Sequence, residues 1–367
     1  MADLQLRFHH DMLVLSTPVA PQLERIGIDS ARDNELTLLL EPEVMGEIYA
    51  LESAAGAQCV VADTAFMTPA RLAHAGMKGS ADKLADSALR VATEHTPQHV
   101  LVEIGPCGLP LDASSKASLN ENRDQYARAA ATFAPFESLF DAFFLNGFTS
   151  CSDLKCALMG MRKVTDKPIL ASVDVVPAGE GAAAGALHGA AVTDASAPAA
   201  DAAVATASTA PVYTLGGKGR ETFAQAVAVM AEYGAQVAGF QAAVAPDEAA
   251  KLAEQAASAS FLPVLAQLVV ADVNPEQAAP TPENPYFEPD AMIESADVLR
   301  AAGAQFLRAT GNATPSYTGA LVAATVGDSV LRAPSAAAAQ GGSVSADPDE
   351  LAALLRARVS QALDGGR

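Results

Sequence analysis

His99-Val100-Leu101-Val102-Glu103-Ile104 runs directly into Gly105-Pro106-Cys107-Gly108-Leu109-Pro110-Leu111-Asp112. The first six residues are a short β-branched run, and the Gly/Pro-rich stretch behind them ends it. An apolar stripe at helical spacing then fills Ser118–Phe133. Strand, loop and helix in this order make one unit of a parallel sheet with crossover helices.

The same rhythm extends to both sides of this unit. Strand candidates are Met12–Ser16, Gln58–Asp63, His99–Ile104, Ala142–Asn146, Ile169–Asp174, Gln236–Gln241, Pro263–Val269 and Gln305–Thr310. Helical stretches lie between them: Glu41–Ala55 stops at Gly56, and Pro289–Ala302 stops at Gly303. Eight such units closing on themselves predict an α/β (β/α)8 TIM barrel, for which 367 residues are ample. An open doubly wound sheet is the competing solution, but G-x-G-x-x-G after the first strand is absent. Residues 178–211 break the rhythm. They are almost entirely small and Pro residues, and read as a flexible low-complexity insertion after strand five. Residues 1–333 are thus read as the barrel, 334–346 as a linker, and 347–367 as a C-terminal helix opened by Asp347-Pro348.

A net charge of −20 disfavours nucleic acid and anionic membranes as partners. No apolar run approaches the roughly 18 residues of a membrane span. The first twenty residues lack a signal-peptide pattern, so a cytoplasmic location is expected. Four cysteines (Cys59, Cys107, Cys151, Cys156) are too scattered for a disulfide framework, and no C-x-x-C or H-x-x-x-H spacing offers a zinc site. The histidines, His99 included, read as surface residues.

The Gly105–Asp112 block, with Asn122-Arg123-Asp124-Gln125-Tyr126-Ala127 downstream, resembles the homocysteine S-methyltransferase family. The resemblance continues through Asp141–Lys155, Thr165–Ser172 and Ala235–Gly239, and weakly at Gly303–Pro315. It implies a barrel in which three cysteine thiolates hold zinc, and zinc deprotonates the homocysteine thiol. The first cysteine belongs in G-V-N-C at the end of strand six, where this chain has Gly239-Phe240-Gln241-Ala242. The adjacent pair belongs in G-G-C-C-G at the end of strand eight, where Arg308-Ala309-Thr310-Gly311-Asn312 stands. No ligand position keeps its cysteine. The family's T-N-T-F is Asp63-Thr64-Ala65-Phe66, and its strand-four glutamate is Asn146.

The replacements define the candidate ligand-contacting residues: Asp63, Glu103, Asn146, Asp174, Gln241, Arg308, Thr310 and Asn312. Asp63, Glu103 and Asp174 close strands two, three and five on the face where barrels place chemistry. If the three converge, they hold a cation or an amine, or Arg308 neutralises them as a structural network. No catalytic residue is assigned, and no cofactor is expected. Two readings stand beside the family's ordinary activity. One is a methyl-transfer-related protein without zinc–thiolate chemistry, acting on a small molecule such as a methylated amine or exchanging methyl groups with a corrinoid protein. The other is a non-catalytic binding or scaffold barrel.

Overall fold

The computed structural model describes residues 3–177, 213–216, 221–272, 277, 279–282 and 284–326. Its strands are β1 (Leu13–Val14), β2 (Cys59–Ala62), β3 (His99–Ile104), β4 (Ala142–Phe148), β5 (Ile169–Pro177), β6 (Tyr213–Leu215), β7 (Val237–Ala242), β8 (Val264–Val270) and β9 (Ala304–Gly311). All except β6 are parallel, in the order β1-β9-β8-β7-β5-β4-β3-β2. A parallel bridge between Leu15 and Cys59 joins the two ends, so the sheet closes as the eightfold βα rhythm predicts. The expected insertion, linker and C-terminal helix lie outside the described residues.

Strand alternation sorts the core into two populations. One set of side chains (Val60, Val102, Phe143, Leu145, Ala171, Phe240, Leu307) belongs to the larger core cluster, which they share with the helices. The alternate set (Leu13, Leu15, Cys59, Val61, Leu101, Phe144, Leu170, Val237, Leu265, Phe306) fills the barrel interior. Leu4, from the short 3-10 helix Leu4–Arg7, joins this interior cluster, and Phe8 packs edge-to-face on Phe306 at 5.8 Å. The N-terminal segment therefore plugs the entry end of the barrel.

Two expectations need correction. His99 is not a surface residue: it is 1% exposed, 3.6 Å from Asp141, with Arg7 at 3.3 Å. As the first residue of β3 it is covered by that N-terminal plug. Asp174 does not end its strand, because β5 runs on to Pro177 and pairs antiparallel with β6. Smaller shifts occur at helix ends; Pro289–Ala302, for example, is helical only over Ala291–Ala301. In β4 a register shift falls between Leu145 and Phe148, and Gly147 takes the positive φ (79°) that this irregularity requires.

Candidate functional site

Above the apolar interior, the next inward-facing positions are polar. Alternation carries Leu101 to Glu103, Phe144 to Asn146, Leu170 to Ser172, Leu265 to Gln267 and Phe306 to Arg308. These residues form a closed ring of hydrogen bonds. Arg308 Nη2 lies 3.5 Å from Glu103 Oε2, and Asn146 Nδ2 donates to Glu103 Oε1 at 2.7 Å. Gln267 Nε2 donates to Asn146 Oδ1 and to Ser172 Oγ, both at 2.8 Å, while Arg308 Nη1 donates to Gln267 Oε1 at 3.3 Å. Arg308 Nε donates to the Ser16 carbonyl at 2.9 Å, and the guanidinium lies 5.4 Å from the centre of the Phe144 ring. Arg308 is only 2% exposed. Where the family pattern has a glycine, this chain sends a guanidinium across the barrel interior.

The other candidates have separate partners. Gln241 Nε2 donates to Asp174 Oδ1 at 3.3 Å, across the β5–β7 pair. The Asp63 backbone N–H donates to the Tyr49 hydroxyl at 2.8 Å, and burial pushes the Asp63 carboxyl up to about 7. Thr310 donates to the Leu268 carbonyl at 3.4 Å. Asn312 lies outside the interior, donating its side-chain amide to Asp272, while its carbonyl accepts from Arg25. The three acidic replacements thus have three different sets of partners. Among the described residues, no three His, Cys, Asp or Glu side chains are grouped closely enough to hold a metal ion.

The residues at the family's thiolate positions do not fit zinc. Ala242 is buried and pairs with Leu268, while Thr310 and Gly311 pair with Val269 and Val270. None offers sulfur. Gly311 has φ of 64°, and a Cβ built there would lie 2.4 Å from the Val270 carbonyl oxygen. The backbone around Gly311 therefore has no room for a cysteine side chain. The existing thiols are elsewhere: Cys59 is in the lower barrel interior, and Cys107 Sγ donates to Asn122 Oδ1 at 3.1 Å. Burial pushes Cys59 and Cys151 up to about 12 and Cys156 up to about 11, far from the activated thiolate range.

Reading replaced motifs alone misses Gln267, Ser172 and Glu52. The first two could be found by continuing the inward alternation of β8 and β5 by one residue. Glu52 carries no such signal, because it comes from the helix Pro42–Ala55. It is fully buried, accepts from the Thr17 hydroxyl, and accepts from Thr318 Oγ1 at 2.7 Å. Burial raises its carboxyl from 4.5 to about 7. A carboxyl with a raised folded-state pKa stabilises most below its unfolded value, and that contribution is lost as pH rises through the folded value. For Glu52 the window runs from 4.5 to about 7. Replacing Glu52 with Gln should therefore help stability increasingly as pH rises across it, by at most about 1.4 kcal/mol per pH unit. Urea unfolding of both proteins at several pH values checks this. A difference that stays flat, or shrinks with pH, would show that Glu52 is ionised at no cost.

Comparisons with known proteins agree with this architecture. The metallated form of the homocysteine methyltransferase MmuM from Escherichia coli aligns with a TM-score of 0.59 at 15% identity, covering 86% of this chain and 96% of that one. The oxidized form of the same enzyme gives 0.63 at 15% identity, over 88% and 98%. At this identity the likeness speaks for the fold alone. No curated relative matches the chain. The homocysteine S-methyltransferase family model matches residues 13–216, more than half of the chain, and the protein belongs to that family.

Proposed function

We propose that this family member is a methyl-transfer-related barrel that does not work through zinc-bound thiolate. The observation that carries the reading is the pair of strand ends at Ala242 and Thr310–Gly311, which present no sulfur and leave no room for a side chain at Gly311. Methyl transfer needs a strong nucleophile, and the thiols of Cys59, Cys151 and Cys156 are pushed toward their neutral form. The methyl acceptor is then brought by a partner, and a corrinoid protein is the chemical class that carries one. The barrel's share is to hold a small methylated molecule, such as an amine, at its acidic mouth.

A second reading, the non-catalytic scaffold, is favoured by Arg308, whose Nε and both terminal nitrogens already have partners inside the barrel. Metal analysis of the purified protein, combined with a thermal-shift screen of homocysteine, methylated amines and a free cobalamin, tests both. The expected result is no stoichiometric zinc, no stabilisation by homocysteine, and stabilisation by an amine. One zinc per chain, removable with loss of stability, would overturn the reading. No response to any small molecule would leave the scaffold.

A further inference from the structure

The entry end of the barrel, opposite the mouth, carries a polar latch that the site chemistry does not use. Arg7, the last residue of the 3-10 helix Leu4–Arg7, reaches from the plug to the start of β3. Its Nη1 donates to Gln98 Oε1 at 2.6 Å and lies 3.3 Å from His99 Nε2, while its Nε donates to Asp11 Oδ2 at 2.8 Å. A guanidinium has donors only, so the ring nitrogen facing it must accept, and the proton of a neutral His99 then sits on Nδ1. That side of the ring faces Asp141 Oδ2 at 3.6 Å, an oxygen already accepting the Val100 N–H at 2.9 Å.

Protonation of His99 breaks this arrangement from the plug's side alone. A charged ring bears N–H at both nitrogens, so Nε2 would aim a donor at a donor, with two cations 3.3 Å apart. The other charged and titratable groups around the ring belong to the barrel. Asp141 precedes β4, and Cys59 opens β2 as the register partner of His99. Lys167, which acts on Asp141, lies just ahead of β5 and donates to the Phe140 carbonyl at 2.8 Å. Asp11 bonds Arg7, and at 44% exposure its charge is screened by solvent. Asp141, Cys59 and Lys167 act on the ring whether or not the plug is seated, whereas Arg7 acts only when it is. A proton on His99 therefore discriminates between the two states and favours the unseated one.

Elsewhere the plug is held by Leu4 in the interior cluster, by Phe8 on Phe306, and by the His9 N–H donating to Gln305 Oε1 at 2.9 Å. His9 itself takes φ of 63°, a left-handed conformation that costs a residue other than glycine, so the seated plug works against backbone strain at its exit. We propose that the N-terminal plug is an acid-released latch: charging His99 expels Arg7, unseats the segment Leu4–Phe8 and opens the entry end of the barrel. Cys59 reports the opening. It is 0% exposed and shares the interior cluster with Leu4, so solvent reaches its thiol only when that end is uncovered. The latch is independent of what the mouth binds.

The test labels the full-length protein with a dithiodipyridine, which reacts with thiols in acid as well as at neutral pH. Labelling is run at about pH 7.5 and about pH 5.5, the span over which histidine side chains change charge. Peptide mapping gives the rate at each cysteine, divided by that of the urea-unfolded chain at the same pH. Hydrogen exchange of residues 3–11, corrected for the intrinsic rate, runs alongside. The unseated state binds more protons, so unseating grows as pH falls, by at most about tenfold per pH unit for one proton. Cys59 labelling should rise severalfold in acid, while Cys107, 1% exposed beyond the other end of β3, should not change. His99→Gln, which can accept from Arg7 without titrating, should stay slow at both pH values. Arg7→Met should be fast at both.

Three results would overturn the latch: Cys59 labelling that does not rise in acid, a rise that persists in His99→Gln, or a parallel rise at Cys107. The last would mean that the whole barrel loosens. The buried carboxyls of Glu52 and Asp63 do not produce the expected signal, because burial raises both to about 7 and acid relieves the cost of keeping them charged. Their effect tightens the barrel as pH falls, the opposite sign to the latch. Should His99→Gln fail to fold, Arg7→Met decides. With the guanidinium gone, acid should no longer speed labelling of Cys59, and an undiminished response there would equally defeat the proposal.

Discussion

Replacing Arg308 with Met should lower the unfolding free energy by about 3–5 kcal/mol, the range for removing one partner of a buried ion pair. The guanidinium is 2% exposed and reaches Glu103, Gln267 and the Ser16 carbonyl. Its loss leaves the Glu103 carboxylate with the Asn146 amide as its remaining side-chain partner in the ring. The double change Arg308→Met with Glu103→Gln should recover much of the loss, because the stranded charge goes with its partner. Arg308→Lys should recover little, since an ammonium cannot reproduce a planar fork serving three acceptors. Equilibrium urea unfolding of the three variants measures each step. A loss below about 1 kcal/mol for Arg308→Met, together with tighter binding of divalent cations or amines, would show that Arg308 competes with a ligand instead of bracing the barrel.

That a barrel would form was legible in the sequence, because each strand unit carries its own local signal. The β-branched run His99–Ile104 is β3 over the same six residues, and the helix ending at Gly56 does end there. The individual site residues were legible as replaced motif positions, but their partnerships were not. Hydrogen bonds between β9, β3, β4 and β8 join residues up to 205 positions apart, and no local pattern specifies which inward polar residue faces which. His99 shows the same limit. Its burial depends on Arg7 and the plug at Leu4–Arg7, which come from the far end of the chain. Asp63 was visible as a replacement, whereas its partner Asn34, from the helix Ser30–Leu40, carries no motif signal.

Restoring the family's three cysteines should not restore zinc binding. The triple variant Ala242→Cys, Thr310→Cys, Gly311→Cys supplies the required donor set on paper. At Ala242 the side chain is a fully buried methyl in the core shared with the helices, so sulfur there displaces neighbours, a typical overpacking cost of about 1–3 kcal/mol. The decisive obstacle is Gly311. Its φ of 64° is a region that cysteine adopts poorly, and the new Cβ would sit 2.4 Å from the Val270 carbonyl and 3.0 Å from Val269 Cγ1. Backbone cannot yield as a flexible side chain can, so β8 and β9 must separate for the side chain to enter. Gly311→Cys alone should therefore cost more stability than Thr310→Cys alone. The triple variant should bind zinc far more weakly than the roughly 10–16 kcal/mol of apparent binding free energy that structural zinc sites provide. Metal titration monitored by competition with a chromophoric chelator, alongside urea unfolding of the single variants, checks both halves. Stoichiometric tight zinc in the triple variant would mean that the strand ends relax at little cost, and that side chains alone stand between them and a metal site. Weak binding with a severe Gly311→Cys penalty would place the obstacle in the backbone, beyond the reach of point substitution.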